Sequence, residues 1–348
     1  MAVEAIRIGI VGAGANTRLR HIPGFRAIEG VEIDGVVNST PESTNRAAQE
    51  LGISQTYPDW QALVADDELD AVMVGTWPNL HCEVTCAALD AGKHVLTEAR
   101  MARNAAEARQ MLSASERHPN LTAQIVPSPF GLVEHQFVLD LIADGFLGEL
   151  RELVVIGAND SFYDNSQPLH WRQDKTISGL NILAMGILHE AAIRWTPPPT
   201  RVFAQTTVCD RERPADDKSG RSEVTVPDSV QILTELDGGA RGLYHLSGIE
   251  LFGPGLQIHM YGNRGTIKVE FAEQTRLLIG QAGDTELRAV DVPPEKRGGW
   301  RVEAEFIGAI RGEEQIRFTD FATGVRYMEF TAAVSESAET GRPVDLPL

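Results

Sequence analysis

Two glycines one residue apart, Gly12 and Gly14, follow directly on the apolar run Ile6–Val11 and lead into Ala15, Asn16 and Thr17. A buried strand that turns sharply into a helix suits a diphosphate. Small residues let the backbone come close, and the helix tip offers unpaired N–H groups at the positive end of its dipole. The third glycine of such a turn is replaced by Thr17, which predicts a looser helix–strand contact or a slight tilt of the helix. A second run, Val31–Asn38, ends 21 positions past Thr17, where the residue that reads the adenosine ribose belongs. An aspartate there would accept from both ribose hydroxyls and repel a 2′-phosphate. Asn38 carries no charge, and Ser39 and Thr40 add hydroxyl donors, a combination that favours NADP, with NAD as the alternative. The plainer reading of Asn38 is a turn residue at a strand end.

The elements that position these groups alternate. A helix over Pro41–Leu51 is followed by a buried strand, Asp70–Thr76, which turns through Trp77 and Pro78 into another helix. In open α/β sheets the ligand lies beyond the carboxyl ends of the strands. Gly75, Thr76, Trp77, Pro78 and His81 are therefore expected at the nicotinamide end. Trp77 would stack on a flat ring or pack on a neighbouring loop, and His81 would serve the cofactor or cap its helix. The run Lys93–Glu98 is a further strand that delivers Glu98 to the same edge, before a helix over Ala105–Glu116 and a strand over Leu121–Val126. Strands and helices of this length in alternation make a doubly wound parallel sheet, assigned to residues 1–126 as a Rossmann domain.

From Arg151 onward the alternation stops. Short β-rich runs separated by turn signals such as Asp237-Gly238-Gly239 and Gly262-Asn263-Arg264-Gly265 predict an α+β domain over residues 127–348 with a large, open, mostly antiparallel sheet. The polar stretch Asp210–Glu223 reads as an exposed loop. With 348 residues, two domains are the default. The 49 acidic against 31 basic residues give a formal net charge of −18, which disfavours nucleic acid and anionic membrane as partners. The three cysteines, Cys82, Cys86 and Cys209, have no histidine or cysteine cluster at metal-binding spacing, so no metal is expected. No apolar stretch is long enough to span a bilayer, and the N-terminal run reads as a first strand rather than a leader, which points to the cytoplasm.

The segment Ala91-Gly92-Lys93-His94-Val95-Leu96-Thr97-Glu98-Ala99-Arg100 resembles the signature of the glucose–fructose oxidoreductase, inositol dehydrogenase and rhizopine-catabolism family, which ends Glu-Lys-Pro. The resemblance extends over nearly the whole chain, through Thr76…Pro78…His81, Phe146–Leu150 and the tail Gly324–Phe330 and Gly341–Pro347. It implies a Rossmann domain joined to an open-faced sheet that assembles into homodimers or homotetramers. It also implies an NAD(P)-dependent oxidoreductase acting on a secondary alcohol of a sugar, cyclitol or related polyhydroxy compound. Two alternatives remain open: a redox-assisted lyase, epimerase or glycosidase, and a catalytically silent sugar or dinucleotide sensor.

The family's catalytic groups are altered here. Ala99 stands at the position of the proton-handling Lys and Arg100 at that of the Pro. Anchored on Gly186 and Trp195, the second-domain helix places Ala184 and Leu188 where the family has Asp and His. His189 and Glu190 are displaced by one and two residues, and one helical residue is about 100° of rotation. Substitutes must therefore be sought. His189 is the best proton carrier by its ordinary pKa, and Lys175 precedes the helix. Glu98 keeps its family position, and Arg100 is a permanently charged clamp for a carboxylate or hydroxyl.

Overall fold

A computed structural model of the chain describes residues 5–215 and 220–348. The described residues divide into two compact units, one within residues 1–127 and 301–325, the other within residues 128–300 and 326–348. Residues 301–325, which chain order alone would assign to the second domain, group with the first unit because the helix Val302–Ile310 packs on the helical segment that follows the glycine-rich turn.

The first unit holds a six-stranded sheet: β1 (Ile6–Val11), β2 (Val31–Val37), β3 (Gln55–Thr56), β4 (Ala71–Val74), β5 (His94–Thr97) and β6 (Ala123–Ile125). All pairings are parallel and the order is β3-β2-β1-β4-β5-β6. The direction of winding reverses beside β1, which lies between β2 and β4, so the glycine-rich turn leaves the sheet at its switch point. β4 is buried along its whole length and β1 at five of six positions, as expected of strands covered on both faces. The helix Pro41–Leu51 starts where it does because Thr40 caps it in a reciprocal pair with Ser43, and Pro41 occupies its first turn. It stops at Gly52, which adopts φ +62°.

The second unit carries nine strands in one sheet. These are β7 (Leu150–Ala158), β8 (Pro199–Thr207), β11 (Ser229–Leu236), β12 (Arg241–Ser247), β13 (Gly255–Gly262), β14 (Gly265–Phe271), β15 (Arg276–Gln281), β16 (Arg288–Val290) and β17 (Val344–Asp345). The intervening β9 (Glu212–Pro214) and β10 (Arg221–Glu223) form a separate two-stranded ribbon. Every pairing in the large sheet is antiparallel except that of β7 with β12. Burial alternates along β8, β11 and β12, so Val202, Ala204, Val230, Ile232, Tyr244 and Leu246 point inward. Helices Met185–Ala192 and Phe321–Thr340 contribute Leu188, Ala191, Phe330 and Val334 to the same core. On the other face, Phe203, Leu233 and Leu243 lie side by side by strand register and are exposed.

The stretch Asp210–Glu223, read from sequence as an exposed loop, is in part the ribbon β9–β10, and Arg213 within it is fully buried. Among the described residues no helix is long and apolar enough to cross a membrane, and no group of His, Cys, Asp and Glu is arranged to hold a metal ion.

Candidate functional site

The chemistry-bearing residues of the first unit gather at the carboxyl edge of its sheet. Gly12 adopts φ +89°, a conformation strained for any residue with a side chain. A Cβ there would also press on the Gly75–Thr76 backbone at 2.9 Å. Gly14 is exposed, with only the Gly75 carbonyl near its missing Cβ, so its backbone is open to a ligand. The helical segment beyond it opens with a π-turn, Thr17–His21, and continues as Ile22–Arg26. Its first amides have no acceptor within the helix, which leaves them for an anion.

Thr17 does not loosen the turn as its side chain suggested. It is buried, and its Oγ1 donates to the Gly12 carbonyl at 3.2 Å. The space that the absent third glycine would have provided comes from the opposite wall: a Cβ on Gly75 would overlap Thr17 Oγ1 and the Gly12 carbonyl.

Asn38, at the end of β2, is tied into the same turn. Its Oδ1 accepts from the Ala13 N–H at 2.8 Å, and its Nδ2 donates to the Ser43 carbonyl at 3.1 Å. The carboxamide thus fixes the turn to the second strand, with no carboxylate at the strand end. Ser39 and Thr40 are exposed beside it, though the Thr40 hydroxyl is committed to capping its helix.

Beyond β4, Thr76 and half-exposed Trp77 occupy the strand-end turn, and Pro78 opens the helix Pro78–Asp90. His81 is completely buried. Its Nδ1 faces the Arg100 carbonyl at 2.9 Å and its Nε2 the Thr76 carbonyl at 3.0 Å. Burial holds its pKa below the ordinary imidazole value despite both carbonyls. With both ring nitrogens directed at backbone, His81 clips the ends of β4 and β5 together rather than facing a ligand.

Glu98, just past β5, is buried and fully engaged. Its Oε1 accepts from Asn16 Nδ2 at 2.5 Å and from His21 Nε2 at 3.1 Å, and its Oε2 from the Ala99 N–H at 3.2 Å. His21, itself without solvent exposure, places Nδ1 2.6 Å from Glu303 Oε1 on the helix Val302–Ile310. Burial alone would lower the His21 pKa, but the hydrogen bonds and charges of Glu303 and Glu98 raise it to about 9. Burial likewise pushes Glu98 upward, while His21 and Asn16 hold it below the usual carboxylate value. The result is a buried carboxylate–imidazolium–carboxylate chain joined through Asn16 to the glycine-rich turn. Arg100 is buried beside it, and the Ala99–Arg100 peptide is cis.

His21 and Glu303 were not singled out from sequence. The signal was present for Glu303, since Val302-Glu303-Ala304-Glu305-Phe306-Ile307 sets two carboxylates in an apolar run that would otherwise exclude them. Glu305 answers the same demand by accepting from Gln124 Nε2 at 2.9 Å and the Arg317 N–H at 3.0 Å.

The two residues expected to carry the proton belong to the second unit. His189 stacks on Phe330 with ring centroids 3.7 Å apart, and its Nδ1 meets the Tyr244 hydroxyl at 2.9 Å inside the second unit's core. Burial pushes its pKa down to about 3. The helix that carries it buries Met185, Leu188, Ala191 and Ala192 and takes His189 inward with them. Lys175 projects outward, its amine 3.9 Å from Glu339, with about half of its side chain exposed. Neither is arranged as a proton carrier.

Comparison with known proteins agrees with this architecture. Residues 6–124 match a family profile described as "Oxidoreductase family, NAD-binding Rossmann fold", and residues 135–268 match the "GFO/IDH/MocA C-terminal domain". The chain is 27% identical over 207 residues to an uncharacterized oxidoreductase, ORF334, of Rhizobium meliloti, a match covering 58% of this chain and 60% of that protein. It is 30% identical over 188 residues to 1,5-anhydro-D-fructose reductase of Ensifer adhaerens, covering 53% of this chain and 54% of the relative. These matches therefore span less than two thirds of either relative. D-xylose 1-dehydrogenase (NADP(+)) 2 of Haloferax volcanii is 26% identical over 341 residues, covering 97% of this chain and 99% of that one. Among solved structures, levoglucosan dehydrogenase in complex with NADH superposes with a TM-score of 0.88 at 22% identity, covering 99% and 100% of the two chains.

Proposed function

Because the chain belongs to the glucose–fructose oxidoreductase, inositol dehydrogenase and rhizopine-catabolism family of oxidoreductases, we propose that it is an NAD(P)-dependent oxidoreductase acting on a secondary alcohol of a polyhydroxy compound. The observation that carries this reading is the turn at Gly12 and Gly14, open at the sheet's switch point, with the helix Thr17–Arg26 directed from it. A diphosphate would take the first helical amides, and Asn38 would hold the turn in shape through Ala13. The bound nicotinamide supplies the hydride acceptor; the substrate's carbinol carbon gives up a hydride and its hydroxyl a proton. Glu98 acts as a positioning residue, since both its oxygens are occupied and one of them holds Asn16 of the turn. Arg100, two residues further along the chain, orients substrate oxygen atoms. The preferred dinucleotide is NADP, supported by the uncharged end of β2, with NAD as the alternative.

The exposed row Phe203, Leu233 and Leu243 supports assembly of a homodimer or homotetramer through the outer face of the large sheet. A row of adjacent apolar side chains, continued by half-buried Val154 opposite Leu243, is the pattern that association covers.

A second reading, a silent dinucleotide or sugar sensor, is favoured by Ala99 at the family's lysine position and by His189 in the core. Calorimetric titration with NADP+ and NAD+, followed by absorbance of reduced cofactor across a panel of sugars and cyclitols, separates the two. Binding with turnover supports the dehydrogenase; binding without reduction of cofactor or change of substrate selects the sensor. Absence of binding to either dinucleotide by folded protein removes both.

A further inference from the structure

The segment His170–Gln173 of the second unit contains a guanidinium that is unpaired among the described residues. The Arg172 side chain lies over the Trp171 ring, its terminal carbon 4.3 Å from the centroid. Among the described residues it makes no ion pair and no side-chain hydrogen bond. Burial lowers its pKa, and no carboxylate offsets that effect. Three other guanidinium groups here are ion-paired: Arg194 with Glu190 at 2.7 Å, Arg103 with Glu107, and Arg18 with Glu50 at 2.7 Å. Arg213, in the neighbouring ribbon, is fully buried but donates to the carbonyls of Asp164 and Phe162.

The surroundings of Arg172 add a second donor. The Arg172 backbone N–H donates to His170 Nδ1 at 3.2 Å, which sets the imidazole tautomer with its proton on Nε2. His170 is exposed and its Nε2 has no partner among the described residues. The acidic groups along the flanking chain are occupied. Asp174 accepts from the Thr176 N–H at 2.8 Å and hydroxyl at 2.7 Å, and Asp164 accepts from Ser166 and Gln167. Stacking on an indole fixes the guanidinium plane while leaving its N–H edge available, and that fork matches a carboxylate or phosphate.

We propose that Arg172, held on Trp171 and flanked by His170, is a binding site for a carboxylate or phosphate, and that it takes a sugar acid or sugar phosphate in preference to a neutral sugar. The substrate class rests on the oxidoreductase reading; the subsite itself does not. Charge-assisted hydrogen bonds of this kind contribute about 1.5–3 kcal/mol, or roughly ten- to a hundredfold in affinity.

The test is calorimetric titration of the full chain with glucose, glucuronate and glucose 6-phosphate, each with and without saturating NADPH. The expected result is at least tenfold tighter binding of one or both anions than of glucose, with the better anion deciding between carboxylate and phosphate. Arg172→Gln should bring the anions to the level of glucose and leave dinucleotide affinity unchanged, and Arg172→Lys should retain part of the preference. Equal affinity for glucose and both anions overturns the proposal, as does an anion preference that survives in folded Arg172→Gln protein. If that variant does not fold, equal wild-type affinities still overturn the proposal, and an anion preference undiminished in Arg172→Lys does the same. Failure of dinucleotide binding would remove the oxidoreductase reading, while the titrations without NADPH still report on the subsite.

Discussion

His21 Nδ1 lies 2.6 Å from the carboxylate of Glu303, a residue 282 positions further along the chain, while the other ring nitrogen meets Glu98. One imidazolium is therefore shared by two buried carboxylates that belong to different elements of the first unit. Removing one member of such a group leaves an uncompensated buried charge, an effect of about 3–5 kcal/mol. His21→Leu is expected to lower stability by that order in denaturant unfolding. Glu303→Gln, which keeps a hydrogen-bonding oxygen at the same place, is expected to be milder. If His21→Leu unfolds at the wild-type midpoint, the chain of charges is not a stabilising one.

The same group sets a pH window. His21 has its pKa raised from 6.5 to about 9, so its contribution is complete below about pH 6.5 and is lost as pH rises through 9. Glu98 has its pKa lowered, so its contribution is present above the ordinary carboxylate range and is lost as pH falls through its folded value. Stability attributable to the pair is therefore greatest between about pH 5 and 6.5. The fall from pH 6.5 to 9 should be of the order of 3 kcal/mol and should be much reduced in His21→Gln. Unfolding midpoints across that range would reveal a flat profile if the assignment is wrong.

Gly75→Ala is expected to weaken dinucleotide binding by at least tenfold, because the new methyl overlaps Thr17 Oγ1 and the Gly12 carbonyl and must displace the turn. Thr17→Gly in the same chain should restore part of that loss by removing the hydroxyl, but not all, since the Gly12 carbonyl stays. Calorimetry on the two variants and their combination measures the coupling.

Asn38→Asp preserves an acceptor for the Ala13 N–H and adds a negative charge at the end of β2. The expected outcome is a loss of NADP+ affinity by about tenfold or more, with NAD+ affinity little changed. Such a shift is about 1.4 kcal/mol of discrimination. Parallel changes in both affinities would mean that Asn38 serves the turn alone.

His189→Leu should leave the pH dependence of any turnover untouched, because the imidazole is already neutral, pushed down to about 3 and stacked on Phe330. Its consequence is structural: the Tyr244 hydroxyl loses its partner, destabilising the fold by about 1–3 kcal/mol. Adding Tyr244→Phe should recover part of that loss. A turnover profile that shifts in His189→Leu would restore the residue to the chemistry.

The fold was legible because its signals are local. Strands such as Ala71–Val74 are apolar throughout, and the alternation along Ser229–Leu236 has the period of a half-covered sheet. The glycine-rich turn was legible for the same reason, since strand, turn and helix are contiguous. Side-chain destinations were harder to read. His189 has the ordinary pKa of a proton carrier, but its helix turns it inward, and only the packing of Phe330 and Tyr244 fixes that outcome. His21 was hidden because it carries no motif, whereas Glu303 was signalled only by its place in an apolar run. Arg213 was hidden because a short ribbon inside a polar stretch has too few residues to display a period.

The pairing of Thr17 with Gly75 links two sites that no linear motif connects. Neither can drift alone: a side chain at 75 demands a smaller partner at 17, and a bulkier one at 17 has no room to enter. Pattern searches that insist on a fixed third glycine would pass over such a chain, because the void they look for has migrated to the facing strand.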